Sequence, residues 1–425
     1  MRTTIPCSKK LLRLAISGQE AVEPSKEFRL RVLTFTSLFP NAAQPNLGVF
    51  IYQRLAAFAA RPGNSLEVIA PLPWTPGWLS GARRSIYRNI PDVEMIGNIP
   101  VHHPRYALLP KVSMPWHAWL MYRGSIALAK RLHGERPFDC VDSHFVYPDG
   151  KAALLVGATL RIPTIVSARG SDINFFPSFA LIRPQIRNTL LHAAGRIAVS
   201  EALKAAMLDV AGAACDIRVI GNGVDPARFF PIDRTEARLH LRLPETARII
   251  ICVAALQPVK GHERLFQAMR RLTKVFSGTH LYLVGDGPLR GELEKHAQSL
   301  GLGSQIRFVG ACPNAQLRYW YSAANISCLT SSREGWPNVV LESLACGTPV
   351  VATRVWGTPE ILTSPDLGLL VEQDADSIAA GLEQALGKAW DRERLVTHAR
   401  SRDWSVVGQE VEAYFLEVLR AQPGA

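Results

Sequence analysis

The hydrophobic positions of this chain form two kinds of pattern that alternate along the sequence: short continuous runs and longer stretches with helical spacing. Short apolar runs, such as residues 31–35 and 163–168, predict buried strands. Longer helical patterns lie between some of these runs, for example at residues 50–58 and 151–160. Strands that alternate with helices form parallel sheets that are covered on both faces. The pattern therefore predicts an α/β protein.

The alternation occurs twice, on either side of an irregular stretch at residues 221–243. We therefore predict a first domain at residues 28–225, a second at 226–405 and a C-terminal helix at 406–425 that returns to the first domain. The chain length of 425 residues is sufficient for two cores. The predicted strands are residues 31–35, 66–70, 138–141, 163–168, 196–199 and 216–220 in the first domain and 248–254, 280–284, 305–309, 325–329 and 349–353 in the second.

Two segments depart from this pattern. Residues 1–27 begin basic, but Arg13 interrupts the apolar run that a signal peptide requires, so we expect a poorly ordered extension. Residues 71–136 are rich in proline and tryptophan and predict an insert with a positive charge. The cations of this insert outnumber its acids: nine (Arg83, Arg84, Arg88, Arg105, Lys111, Arg123, Lys130, Arg131, Arg136) against three (Asp92, Glu94, Glu135).

The cysteine content and the lengths of the apolar runs indicate the cellular compartment of the protein. The seven cysteines are odd in number, scattered and never in a C-x-x-C pair, which argues against a disulfide framework and against a zinc site. A reducing, cytoplasmic location is the natural expectation. No apolar run approaches the ~18 residues that a membrane span needs.

The stretch at residues 332–351 contains the main candidate chemistry. Pro337 suits the first turn of a helix and Gly347 suits the position just after its end, so residues 338–346 are predicted to be helical. The free N–H groups at such a helix start bind anions, and phosphate is the usual occupant. Glu334 lies just outside this site and Glu342 just inside it. The two carboxylates accept hydrogen bonds, so an anion site between them suits a phosphate joined to hydroxyl-rich groups, as in a sugar nucleotide. The alternative is that both acids form a solvated helix face.

Several predicted strands end directly before candidate ligand loops. Gly285, Gly310, Glu334 and the residues after Ala254 all follow strands of the second domain. Ligands of parallel sheets bind beyond the carboxyl ends of the strands, so these four loops could line one pocket.

Other motifs suggest different chemistry. Residues 284–291 read G-x-G-x-x-x-G, close to a dinucleotide fingerprint, but the next strand ends in Gly310 where an acidic ribose partner is expected. Asp374 and Asp376 resemble a metal-binding D-x-D, yet they precede a helical pattern and are better explained as helix caps. His102 and His103 are adjacent but lack a helical ligand spacing. We therefore predict no metal site.

Seven segments stand out in order along the chain: PNLGVF at 45–50, DSHFVYPDG at 142–150, ARGSD at 168–172, GNGVD at 221–225, VKGH at 259–262, VGDGPLR at 284–290 and the E-x7-E pair Glu334 and Glu342. Taken together and in this order, they resemble the motifs of the retaining glycosyltransferases of family 4. The resemblance implies the GT-B fold, in which two Rossmann-like doubly wound domains face each other across a cleft, and it covers nearly everything from about residue 30 to 404. Among relatives, the branch that makes bacterial exopolysaccharide or teichuronic-acid-type polymers is the most similar.

The resemblance implies transfer of a sugar from a nucleoside diphosphate sugar, with retention at the anomeric carbon and without a cofactor. Glu334, Lys260 and His144 would be catalytic, and Glu342 would hold the ribose hydroxyls. His144 also has a plain interpretation as a hydrogen-bonded structural histidine after a strand. The further donor-binding residues implied are Gly335, Trp336, Pro337, Asn338, Val339, Gly285, Gly310, Gly48, Asn222, Arg169 and Asp172.

The sequence departs from the family at Ala255, where an arginine commonly shares the diphosphate with the lysine. Arg169 or Arg333 could replace that cation, or the diphosphate charge could be less well neutralised. Loss of catalysis would leave a protein that only binds sugar nucleotide. A GT-B epimerase, a GT-B hydrolase and an NAD-dependent dehydrogenase are further alternatives.

The positive charge of the chain suggests that it binds an anionic lipid surface. The net charge is +12, and tyrosine and tryptophan rings are interleaved with the cations of residues 71–136. Such rings and cations suit an anionic lipid surface, while no nucleic-acid motif accompanies the charge. We expect a glycan or polyprenyl-diphosphate-linked acceptor, with docking through this insert on the cytoplasmic membrane face. A solvated basic face and a tryptophan-rich core are the alternatives.

Overall fold

The computed structural model describes residues 30–75, 86–108, 113–212 and 215–422. The predicted N-terminal extension at 1–27 lies outside the described residues. So do residues 76–85 and 109–112 of the predicted basic insert, which include Trp78, Arg83, Arg84 and Lys111.

The first domain is built on an eight-stranded sheet with the order β10-β9-β8-β7-β1-β2-β5-β4. Neighbouring strands are parallel, except that β4 runs antiparallel to β5. A separate parallel pair joins β3 and β6. The strands are β1 Arg31–Phe35, β2 Ser65–Ile69, β3 Leu72–Trp74, β4 Val93–Ile96, β5 Ile99–His102, β6 Arg105–Ala107, β7 Cys140–His144, β8 Thr164–Ser167, β9 Gly195–Ala198 and β10 Arg218–Val219.

Helices cover both faces of this sheet, as the parallel strands require. Two hydrophobic clusters, one on each face, fill the space between sheet and helices. The helices are α1 Val49–Ala59, α2 His117–Glu135, α3 Lys151–Leu160, α4 Ser171–Asn174, α5 Arg183–His192 and α6 Glu201–Ala211.

The second domain repeats the plan with a six-stranded parallel sheet in the order β13-β12-β11-β14-β15-β16. The strands are β11 Arg248–Val253, β12 Thr279–Val284, β13 Ile306–Gly310, β14 Ile326–Leu329, β15 Val350–Thr353 and β16 Gly368–Val371. Its helices are α7 Arg234–Leu241, α8 His262–Val275, α9 Arg290–Ser299, α10 Asn314–Ala323, α11 Asn338–Ala345, α12 Thr358–Ile361, α13 Ala375–Gly387 and α14 Arg392–Arg400. A last helix, α15 Trp404–Arg420, follows them.

The last helix, α15, packs on the first domain. The rings of Phe58 and Phe415 lie 5.6 Å apart, and Arg61 forms an ion pair with Glu412. The Tyr414 hydroxyl accepts a hydrogen bond from the backbone N–H of Arg196 at 2.9 Å. The chain therefore ends on the domain in which it began.

Strand β7 differs from its prediction. The apolar pattern ended at Val141, but the strand continues through His144, whose register partner on β8 is Ser167. Hydrophobicity alone misses this end because Asp142, Ser143 and His144 are polar and yet fully buried. The extension places His144 inside the sheet rather than in a loop.

The predicted insert is largely part of the domain. Strands β4 and β5 add to the edge of the first sheet, and the long helix α2 packs beside α3. Prolines such as Pro100 and Pro104 in and next to these short strands conceal the alternating pattern. No helix in the described part of the chain is both long and apolar enough to cross a bilayer.

Candidate active site

A cleft between the two domains contains a cavity of about 410 Å³. Its walls come mainly from the loops after β11, β12 and β13, including Ala254, Ala255, Gly285 and Cys312. The first domain contributes Asn46 and Val49, on either side of Gly48. Asn46 and Val49 belong to the PNLGVF segment that the sequence analysis singled out. The cavity also includes Ala311, Cys312, Asn314 and Leu317, for which no motif gave a signal.

Gly285 allows two of these loops to meet. Its φ of 146° favours glycine, and a Cβ there would lie 2.0 Å from the carbonyl oxygen of Ala254. The N–H of Gly285 also donates to the carbonyl oxygen of Gly310 at 2.8 Å. These backbone contacts hold the ends of β11, β12 and β13 together and shape one wall of the cavity.

Lys260 and Glu334 are in direct contact. Lys260 Nζ lies 2.6 Å from Glu334 Oε1, and the Ser331 hydroxyl donates to the same oxygen at 2.5 Å. Lys260 precedes Gly261, where a Cβ would lie 2.2 Å from the carbonyl oxygen of Thr330. The lysine loop is therefore packed against the end of β14, and this packing positions the ammonium group beside Glu334.

Glu342 lies on α11, which begins at Asn338 as predicted and ends at Ala345. Its Oε2 accepts a hydrogen bond from the Tyr321 hydroxyl at 2.9 Å. Burial raises the pKa of Glu342 to about 7. No side chain of the described residues caps the start of α11, so a ligand can be the partner of its first N–H groups. Val339, in the first turn, lines the cavity.

A buried polar chain links the two domains. Arg169 Nη1 donates to Asn222 Oδ1 at 3.1 Å, and Asn222 Nδ2 donates to Asn338 Oδ1 at 3.0 Å. Asn338 is the first residue of α11. A guanidinium group of the first domain is thus connected through one amide to the helix start that the sequence identified as an anion site.

His144 is at the other end of this chain. Its Nδ1 accepts from Arg169 Nε at 3.2 Å, and its Nε2 lies 3.1 Å from Asp142 Oδ2. Burial lowers the pKa of His144 to about 4, so the ring is neutral near pH 7 and carries its proton on Nε2, facing Asp142. Both ring nitrogens face protein groups and the side chain is fully buried. In this arrangement His144 orients Arg169.

Asp172 shapes the loop that carries Arg169. Its carboxylate accepts backbone hydrogen bonds from Gly170 at 2.8 Å, from Val146 at 2.8 Å and from Arg169 at 3.1 Å. Burial raises the pKa of Asp172. The Asp172 carboxylate is thus bonded to backbone groups of the first domain, and these bonds fix the position of Arg169.

The turn before α11 lies between the domains. A Cβ on Gly335 would lie 2.2 Å from the carbonyl oxygen of Arg169, and a Cβ on Gly221 would lie 2.6 Å from the Trp336 ring. Arg333 Nη1 donates to the carbonyl oxygen of Asn174 at 3.1 Å. Gly335, Trp336 and Arg333 therefore contact the first domain, and Pro337 leads directly into α11.

The other sequence motifs have structural explanations. Asp374 caps α13, since its Oδ1 accepts from the N–H groups of Asp376 at 2.9 Å and Ser377 at 2.8 Å, as predicted. His103 is bonded to Glu94 at 2.7 Å, and His102 to Glu67 at 3.0 Å.

Arg54 is a buried cation that the sequence did not reveal. It is 1% exposed, on an otherwise apolar helix face, and donates to Ser167 Oγ at 3.1 Å. Desolvation by burial is the largest effect on the pKa of Asp142 and raises it, but opposing effects, which include the charge of Arg54, hold that pKa below its usual range.

Comparison with known proteins covers both domains. The family described as Glycosyltransferase Family 4 matches residues 51–228, and the family described as Glycosyl transferases group 1 matches residues 233–402. A D-inositol 3-phosphate glycosyltransferase of Frankia alni is 30% identical over 321 residues, which cover 69% of this chain and 78% of the relative. A putative teichuronic acid biosynthesis glycosyltransferase of Bacillus subtilis is 26% identical over 358 residues, which cover 83% and 88%.

Solved structures share the fold. Sucrose-phosphate synthase from Thermosynechococcus elongatus superposes with a TM-score of 0.76 at 21% identity, covering 93% of this chain and 100% of its own. Anabaena HepE, solved in complex with UDP-glucose, gives a TM-score of 0.65 at 20% identity, covering 92% and 100%. These likenesses confirm the predicted GT-B fold.

Proposed function

The chain belongs to glycosyltransferase family 4, and we propose that it moves a sugar from a nucleoside diphosphate sugar to a hydroxyl of a glycan or lipid-linked acceptor, with retention at the anomeric carbon. The observation that carries this proposal is a set of three features at and just before α11, whose first turn reaches the cavity through Val339. These are the Lys260 and Glu334 pair, the uncapped start of α11 and the half-buried Glu342 on the same helix.

The proposed chemistry depends on the negative charge that develops on the leaving phosphate. When the bond to the diphosphate breaks through an oxocarbenium-like state, negative charge grows on the leaving phosphate. A fixed cation and free helix N–H groups stabilise that charge more than they stabilise the bound substrate. In the proposed site Lys260 and the start of α11 receive the diphosphate, with Arg169 as a second cation connected to that helix start through Asn222.

The two glutamates have different proposed roles. Glu342 accepts hydrogen bonds from the ribose hydroxyls, and Glu334 accepts from a hydroxyl of the donor sugar while it orients Lys260. Because an organic cation and a helix start neutralise the diphosphate, the proposed reaction needs no divalent metal. The location proposed is the cytoplasm, with peripheral attachment to the inner membrane, and the polymer proposed is a bacterial surface polysaccharide, in line with the named activity of the Bacillus relative.

The donor is tested directly. A panel of nucleoside diphosphate sugars is screened by thermal shift, and the donors that bind are incubated with candidate acceptors. NMR of the product then gives its anomeric configuration. A product with the donor's configuration supports the proposal, whereas inversion or binding of a nicotinamide dinucleotide instead of a sugar nucleotide contradicts it.

Ala255 favours a second candidate, a protein that binds sugar nucleotide without catalysis. Its small side chain lines the cavity at the position where the family resemblance implies an arginine. Tight donor binding without turnover on any acceptor would support this candidate. Nucleotide release that needs no acceptor would instead indicate a GT-B hydrolase or epimerase.

A further inference from the structure

An exposed aromatic surface lies on the first domain, outside the cleft. Pro115, Trp116, Trp119, Leu181 and Gln185 line an open groove of about 730 Å³. Gln185 Nε2 donates to the carbonyl oxygen of Pro115 at 2.9 Å and so joins the two walls. We call this groove, with the neighbouring Phe175 and Phe179, the aromatic surface.

The side chains of this surface are unusually open to solvent. Large apolar residues normally avoid such exposure in clusters, and a cluster of them marks an interaction site. The exposed fractions are 60% for Trp116, 52% for Trp119, 69% for Leu181, 46% for Phe175 and 37% for Phe179.

Cations predominate in the two segments that supply the aromatic surface. Residues 113–134 and 173–200, which include all of its residues, contain no aspartate or glutamate. One acid of α6, Asp209, pairs with Arg183 at 3.3 Å. Arg123 and Lys130 follow Trp119 at spacings of four and eleven positions, which places all three on one face of α2. The Arg123 guanidinium lies 5.8 Å from the centre of the Trp119 ring. The surface therefore combines exposed aromatic rings with cations along one helical face.

The aromatic surface adjoins the reaction cleft. Phe175 follows Asn174, whose carbonyl oxygen accepts the hydrogen bond from Arg333, and Arg333 precedes Glu334. A molecule held at this surface would have its polar end close to the loop that carries Glu334.

We propose that the aromatic surface binds an anionic lipid bilayer, with Trp116, Trp119 and Leu181 in the headgroup region and Arg123 and Lys130 against lipid phosphates. Tryptophan suits that boundary because its ring is apolar and its N–H is polar. This inference deepens the proposed function and rests on it for the acceptor, which would be lipid-linked. It narrows the predicted docking insert, residues 71–136, to the first turns of α2 and adds the Phe175 to Leu181 loop.

The test is sedimentation of the full chain with vesicles made of equal molar parts of phosphatidylcholine and phosphatidylglycerol. The protein is expected to sediment with these vesicles at low salt, to bind neutral phosphatidylcholine vesicles less and to be released as salt rises. The triple variant W116S/W119S/L181S should lose at least about tenfold in vesicle affinity. The double variant R123Q/K130Q should lose about fivefold for each cation.

Matched controls change similar residues elsewhere. Leu239 and Val275 are 78% and 61% exposed on the second domain, so L239S/V275S removes apolar surface without touching the aromatic surface. R270Q/K295Q does the same for exposed cations. Both controls should sediment like the unmodified protein.

Three results would overturn the inference: no sedimentation of the unmodified protein, equal losses in the triple variant and its control, or a dimer that forms through these residues in place of vesicle binding. Thermal shift with UDP in the same samples separates this inference from the proposed function. Vesicle binding without any response to UDP or a sugar nucleotide would contradict the transferase proposal alone. A UDP response without vesicle binding would contradict the docking inference alone.

Discussion

Lys260 Nζ lies 2.6 Å from Glu334 Oε1, so the proposed diphosphate cation and the proposed sugar-binding acid are in contact before any ligand arrives. The pairing fixes the ammonium group in a loop that already packs against the end of β14. It also means that replacing either residue alters the other.

The first prediction is that the two glutamates have separable effects. Glu334→Gln should lower kcat as well as kcat/KM, because it removes a contact near the reacting sugar and loosens Lys260. Glu342→Gln should mainly raise KM through weaker donor binding. Each loss is expected at about 1.5 to 3 kcal/mol, or roughly ten- to a hundredfold.

Steady-state kinetics with the identified donor measure both effects. The control is Glu383→Gln, an exposed acid of α13. Small and equal effects for all three variants would indicate that Glu334 and Glu342 are ordinary surface acids.

The second prediction concerns stability and pH. Because burial raises the pKa of Glu342 to about 7, its stabilising contribution is fully present below its unfolded pKa near 4.5 and is lost as pH rises through 7. Glu342→Gln should therefore be more stable than the unmodified protein at pH 8 and lose that advantage toward pH 4.5, with a difference of at most about 3 kcal/mol. Urea unfolding across this range measures it, and a difference that stays constant with pH would contradict it.

The third prediction is that His144 remains neutral. Burial lowers the pKa of His144 to about 4, so the stability that depends on its neutral ring is present above pH 6.5 and is lost as pH falls toward 4. NMR correlation of the ring nitrogens should show a proton on Nε2 throughout pH 5 to 8. His144→Gln identifies the signal, and a midpoint near the usual value would show that the ring is open to solvent.

The fourth prediction is that turnover does not require a divalent metal. Exhaustive chelation should leave kcat unchanged, because Lys260 and the start of α11 receive the diphosphate in the proposed site. Activity that returns only after manganese is added would contradict this expectation.

The fifth prediction separates capping from catalysis at the D-x-D sequence. Asp374→Ala removes three hydrogen bonds at the start of α13 and should lower the urea midpoint of unfolding. Its kcat at a temperature well below unfolding should equal that of the unmodified protein. A large fall in kcat with intact folding would return attention to Asp374 as a ligand.

Most elements and their order could be predicted from the sequence. Strand β1 and helix α3 lie where the apolar pattern placed them, because periodicity follows directly from which face of an element is buried. Helix α11 could be predicted from Pro337 and Gly347, which act locally on the backbone. The strands of residues 71–136 could not be predicted from the sequence, because they are short, contain or adjoin prolines and pair with strands that are distant along the chain.

The sequence alone thus determined which residue types the candidate site contains and where they lie along the chain. These are a glutamate pair around a helix start, a lysine loop, and glycines where strands end. Which side chains meet was decided only by the tertiary structure. Asn222 and Asn338 are 116 positions apart and touch because two domains pack together. His144 faces Asp142 and Arg169 because β7 extends further into the core than its hydrophobicity indicates. Contacts of this kind depend on packing between elements, which local patterns do not encode.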